Sequence, residues 1–273
     1  MKLEGLTVLD LSLFLPGPAA TQIMADHGAR IIKVENPRAP EPTRSADAFP
    51  WQQGDETVMF RNTQRGKESI ALDLKTDAGK RALLALAKTV DVVVEAFRPG
   101  VAARLGIDYA TLSKNNPGLV YCSISAFGQT GPWCNRPAHD TATVAAAGIL
   151  DVTRSPEGSA GPAIIGVPIA DMLASNLALS GILMALLRRQ TTSQGDFLDI
   201  SMFESVLAAS PNIMGPVFGG DQAPERLKER THGGNAMLNV YETADAQYLA
   251  LGGGEHKFVT ALFEGLGKPE FIQ

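Results

Sequence analysis

Residues 7–34 read TVLDLSLFLPGPAATQIMADHGARIIKV. Thr7-Val8-Leu9-Asp10-Leu11 is a short β-rich run. Ser12 to Pro18 follows with two prolines and a glycine. Ala19 to His27 has helical composition and is stopped by Gly28, after which Arg30-Ile31-Ile32-Lys33-Val34 forms a second β-rich run. Strand, helix and strand at this spacing predict a βαβ unit, a parallel pair joined by a right-handed crossover.

Working outward, Asn36 to Asp55 is proline-rich and reads as a loop excursion. Ser69 to Asp73 is the next strand. Thr76 is a candidate N-cap for a helix through Lys88 with Leu83, Leu84 and Ala87 on one face. Asp91-Val92-Val93-Val94-Glu95 is a continuous apolar run of the kind seen in buried parallel strands. Short helices follow Phe97-Arg98-Pro99-Gly100, with Asp108 as a cap, and Leu119 to Ile124 gives another strand. The alternation predicts an α/β fold: a doubly wound parallel sheet, Rossmann-like, whose ligand lies beyond the carboxyl ends of the strands. The loops there are Leu13 to Pro18, Ala96 to Gly100 and Ser125 to Asp140.

Asp140 to Asp151 is helical in composition. Pro168 precedes a helix to about Arg189, with Met172, Leu173, Leu177, Leu183, Leu186 and Leu187 toward the core. Asp196 to Ile200 reads as a strand and Met202 to Ala209 as a helix. The large domain is therefore placed at 1–209. Residues 210–230, with three prolines, a Gly-Gly pair and clustered charge, read as a linker. Asn239 to Thr243 and Tyr248 to Leu251 form a hairpin that opens a smaller α+β domain, 231–273, which has no room to finish.

Composition narrows the function classes. Of 273 residues, 45% are hydrophobic and 19% charged, which excludes wholesale disorder. A net charge of -5 without a Lys/Arg stripe argues against a nucleic-acid partner. The first residues lack a signal-peptide core, and Ser175, Asn176 and Ser180 interrupt the most apolar helix, so a cytoplasmic protein without a membrane span is expected. Cys122 and Cys134 have no zinc-type spacing, and four scattered histidines predict no metal site. No G-x-G-x-x-G follows the first strand, and Gly265-Leu266-Gly267-Lys268 lacks P-loop spacing.

The chemical candidates are few. Phe127-Gly128-Gln129-Thr130-Gly131-Pro132 leads to Pro137-Ala138-His139-Asp140, and Gly166 to Asp171 closes the stretch. An imidazole and carboxylates thus lie among turns, with His139 and Asp171 brought together only by a fold. Each has a plain alternative: Asp171 as a first-turn helix residue, His139 as a cap, and Glu255 in Gly252-Gly253-Gly254-Glu255 as a solvated loop residue. Arg65, Lys67, Arg98 and Arg104 are either phosphate ligands or surface charges.

Taken together, Leu9 to Ser12, Pro16-Gly17-Pro18, Arg65 to Lys75, Glu95 to Gly100, Arg104-Leu105-Gly106, Asn116-Pro117, Ser125 to Pro132 and Pro168 to Asp171 resemble the class III CoA-transferase family. That family includes the α-methylacyl-CoA racemases. The resemblance implies that Asp171 is the catalytic carboxylate. In transferases that aspartate attacks an acyl-CoA thioester through a mixed anhydride. In racemases it works with a histidine on the other face of the α-carbon. Ala138-His139-Asp140 matches the racemase Gly-His-Asp triplet except at the glycine, transferases usually carry an aromatic at His139, and Glu255 matches the glutamate that orients the histidine. These matches favour racemisation of 2-methylacyl-CoA over CoA transfer or non-catalytic acyl-CoA binding. Burial is expected to raise Asp171 toward the range of a neutral imidazole. By the same resemblance, coenzyme A enters as part of the substrate, with no permanently bound cofactor. It would lie along Leu15, Pro16, Arg38, Leu72, Asp73, Leu74, Lys75, Ala96, Phe97, Arg98, Arg104, Ala138 and Asp140. Its phosphates would meet Arg65, Lys67, Arg98 or Arg104, although Asn36-Pro37-Arg38 does not align cleanly with the family's basic residue. An interlocked homodimer is implied as well.

Overall fold

The computed structural model describes residues 1–153, 161–225 and 228–272. In chain order, the first part of the fold runs β1 (Thr7–Asp10), α1 (Pro16–Asp26), β2 (Arg30–Glu35), a short 3₁₀ turn at Pro42–Arg44, β3 (Gln52–Gln53), β4 (Glu56–Thr57), α2 (Val58–Gln64) and β5 (Glu68–Ala71). It continues with α3 (Asp77–Leu86), β6 (Val92–Glu95), α4 (Val101–Leu105), α5 (Tyr109–Leu112), β7 (Val120–Ser125), α6 (Asp140–Ala146) and α7 (Ile149–Val152). Then come α8 (Ile169–Thr192), β8 (Asp196–Ser201), α9 (Met202–Ala208), α10 (Pro211–Gly220), β9 (Leu238–Glu242), β10 (Tyr248–Gly252) and α11 (His256–Gly265).

Six strands make one sheet in the order β5-β2-β1-β6-β7-β8, and every pairing in it is parallel. The doubly wound sheet expected from residues 7–34 is therefore present. β1 pairs with β2 from Thr7↔Arg30 to Asp10↔Lys33, and with β6 from Val8↔Val92 to Asp10↔Val94. Strand order reverses between β1 and β6, so the loops that leave those two strands part and open a crevice at their carboxyl ends.

The central strands read as apolar runs because both faces are covered. Val8, Leu9, Val92, Val94, Val120 and Cys122 have no exposed surface. Thr76 caps α3 by accepting the Gly79 N–H, as its spacing predicts. The helix α1 begins earlier than its composition suggests, at Pro16, where a missing N–H costs nothing. Gly17 is needed there, since a Cβ would lie 2.2 Å from Cβ of Ser12.

The chain divides into two compact units, Met1–Thr143 with Pro168–Val206, and Val144–Val167 with Leu207–Gln273. Within the first, α8 packs on α1, β7 and β8. By length and composition alone this 24-residue helix is apolar enough to cross a membrane, with a mean hydropathy of 1.7. Its inward face differs from the expected one. Ala170, Ala174, Ala178, Ile182, Ala185 and Leu186 are buried, Met172 and Leu173 are half-buried, and Leu177, Leu183 and Leu187 are exposed. The reason is close approach: α1 offers Ala19 and Ala20, and a Cβ on Gly181 would sit only 3.3 Å from Leu198 of β8. Small side chains fit such gaps, and large ones are turned outward.

In the second unit β9 and β10 form the expected antiparallel hairpin, from Leu238↔Gly252 to Glu242↔Tyr248. The stretch read as a linker carries helix α10, with Pro211 in its first turn and Pro216 inside it. An internal proline removes one backbone bond, and apolar Ile213, which is buried, outweighs the breaker signal. Residues 226–227 of that stretch lie outside the described residues.

A charged cluster is buried where β1 ends. Asp10 accepts from Lys67 at 3.0 Å and from Thr21 at 2.6 Å, and Lys33 lies 3.8 Å away. Burial pushes the Asp10 carboxyl up, but the ammonium groups of Lys33 and Lys67 and the hydroxyls of Ser12 and Thr21 outweigh it. The carboxyl ends well below the usual carboxylate range.

Candidate active site

A cavity of about 710 Å³ opens in the first unit where β1, β6, β7 and β8 end. Phe14 and Pro16 come from the loop and helix after β1, Ala96 to Pro99 from the loop after β6, Ser125 and Ala126 from that after β7, and Met202 from that after β8. His139 and Asp171 both line it, so the fold brings together the imidazole and carboxylate that the chain holds 32 positions apart.

Asp171 stands in the first turn of α8, and the plain reading of it as a helix-start residue is half of the truth. Pro168 cannot cap the helix with a side chain. Asp140 does so from a distance, its Oδ1 accepting the N–H groups of Ala170 at 2.7 Å and Asp171 at 3.1 Å. The neighbour of His139 is thus fixed to the amino end of the helix that carries Asp171. Burial pushes the Asp171 carboxyl up to about 7, and the Asp140 charge adds to the shift. Asp140→Asn keeps an acceptor oxygen but removes that charge. We expect the acidic limb of the kcat/KM–pH profile to move to lower pH by up to about one unit. A limb that stays in place would show that Asp140 does not tune Asp171.

A second cavity of about 250 Å³ shares Leu13 and Phe97 with the first and is lined by Leu72, Asp73, Leu74 and Lys75 after β5. Pro16, Ala96, Phe97, Arg98 and Ala138 line the larger cavity, so most of the expected coenzyme A segment falls on these two neighbouring spaces. Arg38 pairs with Asp73 at the rim of the smaller one.

Other expected contacts are placed differently. Lys67 is buried, donating to Asp10 at 3.0 Å, Pro18 O at 2.9 Å and Thr21 Oγ1 at 2.8 Å, so its ammonium is committed to the core and not to a phosphate. Arg65 pairs with Asp26 beside a separate pocket of about 350 Å³ next to α2. Arg104 is exposed on α4 and lines neither cavity, and Leu15 is the N-cap of α1 and lines neither. Asp140 is a helix cap and not a cavity residue. Glu255 is an exposed residue at the N-cap of α11, in the second unit.

The cavity also holds Arg136, which the sequence reading passed over. Arg136 lines it with its guanidinium 4.7 Å over the Trp133 ring, so Arg98 and Arg136 are its cationic residues. The available signal was a cation beside an aromatic in the loop that carries His139. Glu95, at the end of β6, is buried and accepts the Phe97 N–H at 2.6 Å. Burial pushes it up to about 7 against the Ser123 hydroxyl and that amide, with Asp199 adding to the rise. Gln129 ties the glycine-rich loop down, its Nε2 donating to Ser123 Oγ at 2.9 Å and its N–H to Asp199 at 2.9 Å. Among the described residues, no group of three His, Cys, Asp or Glu side chains is placed to hold a metal.

Comparison with known proteins fits this geometry. The acetyl-CoA:oxalate CoA-transferase of Acetobacter aceti is 38% identical over 267 residues, covering 98% of this chain and 67% of that protein. The human alpha-methylacyl-CoA racemase is 33% identical over 269 residues, covering 98% and 65% respectively. The chain thus spans about two thirds of the length of these relatives. A crystal structure of a CAIB/BAIF family protein from Brucella suis superposes with a TM-score of 0.83 at 31% identity, over 98% of this chain and 70% of that one. With the family model described as CoA-transferase family III matching residues 3–273, the chain belongs to that family.

Proposed function

We propose that this chain carries the acyl-CoA site of a racemase or epimerase acting on 2-methyl-branched thioesters by 1,1-proton transfer. The observation that carries the reading is the pairing of His139 and Asp171 in one cavity, with Asp171 raised to about 7. A carboxyl in that range both takes and returns a proton near neutral pH, which a two-base reaction requires. One group removes the α-proton, and the other delivers a proton to the opposite face. The charge that develops on the thioester oxygen is favoured by the positive amino end of α1, whose first residue, Pro16, lines the cavity. Coenzyme A, carried as part of the substrate, would run from the smaller cavity past Phe97, with Arg98 and Arg136 as the available cations. The working assembly would be a homodimer.

A second reading is favoured by the oxalate CoA-transferase among the relatives. There Asp171 attacks the thioester carbonyl, the C–S bond breaks and CoA leaves as thiolate. The thiolate then attacks the Asp171 carbonyl of the mixed anhydride and releases the first acid. The acceptor carboxylate next attacks the resulting enzyme thioester to form a second anhydride, and the CoA thiolate it displaces attacks the acceptor's acyl carbon, breaking the anhydride bond and freeing the Asp171 carboxylate. A non-catalytic acyl-CoA binder is the third possibility, refuted by any turnover that depends on Asp171.

The deciding experiment incubates the protein with a 2-methylacyl-CoA in D₂O and follows the α-proton by NMR. We expect exchange in the wild type and its loss in His139→Ala. Retained acyl-CoA binding with no exchange would move the assignment to CoA transfer.

A further inference from the structure

We propose that Phe14 is a positioning residue for His139, held in place by a buried ion pair between Glu41 and Lys33. The inference rests on the reading of His139 as a proton carrier but adds what sets the ring's orientation.

Phe14 has φ of 64°, in the left-handed region that glycine tolerates and a bulky aromatic does not. Something must hold it there. Its N–H donates to Glu41 Oε1 at 3.0 Å. That carboxylate, itself almost fully buried, is clamped in turn: Oε1 accepts from the Thr43 N–H at 3.3 Å and hydroxyl at 3.1 Å, while Lys33 Nζ lies 3.1 Å from Oε2. The same ammonium donates to the carbonyl oxygen of Ser12. The loop after β1 is therefore gripped at a carbonyl and an amide two residues apart by one buried ion pair.

The consequence reaches the cavity. The Phe14 ring meets the His139 imidazole edge to face, with centroids 5.9 Å apart and planes at 78°. Among the described residues, no side chain or backbone group hydrogen-bonds to that imidazole, and Phe14 is its ring contact. An imidazole with no hydrogen bond has its tilt fixed by packing alone, and in-line proton transfer is sensitive to small displacements. Neither Glu41 nor Lys33 lines the cavity, so they act through Phe14.

The test uses the full chain labelled at histidine, with the His139 ring signals assigned by their loss in His139→Ala. Phe14→Gly suits the left-handed backbone and removes the ring, so a changed signal is not unfolding. We expect Phe14→Gly to change the nuclear Overhauser contacts of the His139 ring protons with residues other than Phe14, which loss of the Phe14 ring current alone does not alter, and to lower kcat for α-proton exchange roughly tenfold to a hundredfold, with KM for the thioester little changed. Phe14→Tyr should restore both. Glu41→Ala should shift the His139 signals as Phe14→Gly does, and Glu41→Gln, which retains an acceptor for the Phe14 N–H, should shift them less. Unchanged contacts of the His139 ring in Phe14→Gly would overturn the proposal, and unmoved His139 signals in Glu41→Ala would overturn the anchoring role. If the wild type shows no His139-dependent exchange, the racemase reading fails. The contacts of the His139 ring with its other neighbours then still decide whether Phe14 positions His139.

Discussion

Asp171→Asn is expected to abolish turnover while leaving acyl-CoA binding intact. The amide matches the carboxyl in shape but neither accepts the α-proton nor attacks a thioester. A lost acid–base group costs roughly 10²–10⁴-fold in kcat, and a lost nucleophile more. Single-turnover assays for exchange and for CoA transfer check this, and activity within tenfold of wild type in both would remove Asp171 from the reacting atoms. The same substitution has a signature in stability. The folded chain holds the Asp171 proton more tightly than the unfolded chain, because its carboxyl is raised to about 7 by burial and by Asp140. The contribution of Asp171 to stability is therefore fully present below the unfolded carboxyl range and is lost as pH rises from about 4 to about 7. Glu95 titrates across the same window in the same direction. Asp171→Asn should match wild type in Tm near pH 4 and exceed it at pH 8, with a shallower decline between.

Asp10→Ala is expected to destabilise the fold by about 3–5 kcal/mol, a large share of a typical domain's 5–15 kcal/mol. Removal of the carboxylate leaves Lys67 buried without its ion-pair partner and Lys33 dependent on Glu41. The pair as a whole is not worth that much, since its formation also desolvates the charges. The cost lies in stranding one member. Urea melts of Asp10→Ala and of Asp10→Ala/Lys67→Met separate the two contributions, because the methionine removes the stranded ammonium and should recover part of the loss. A single variant within about 1 kcal/mol of wild type would mean that Lys67 finds water or another acceptor. The Asp10 carboxyl sits below its unfolded value, so its contribution is complete above the ordinary carboxylate range and is lost progressively as pH falls from that range through the lower folded value.

Much of this molecule is written locally. Thr7 to Val34 specifies strand, crossover helix and strand because buried parallel strands must be apolar on both faces, and glycine and proline mark where each element stops. The same logic finds β6 at Asp91 to Glu95 and α3 behind Thr76. His139 and Asp171 are legible as candidates because the ordered motifs from Leu9 to Asp171, which are enough to place the chain in its family, end on them, while position alone leaves each a plain helix-start or cap role.

Tertiary structure decided which charges serve the site and which serve the core. Lys67 and Arg136 look alike in sequence, each a cation in a loop. Yet Lys67 is drawn inward by Asp10, 57 residues away, while Arg136 is held over Trp133 at the cavity. Helix α8 shows the same limit, since its inward face was set by how closely α1 and β8 approach it and not by which residues are most apolar. Asp140 caps a helix 30 residues further along, and Phe14 takes a backbone conformation that its own side chain opposes. Periodicity and turn chemistry act over a few residues, and so the sequence alone determined the elements, their order and the family. Electrostatic pairing and close packing act through space between distant parts of the chain, and so only the folded structure determined how Asp171 is raised, which ring meets His139 and which cations line the cavity.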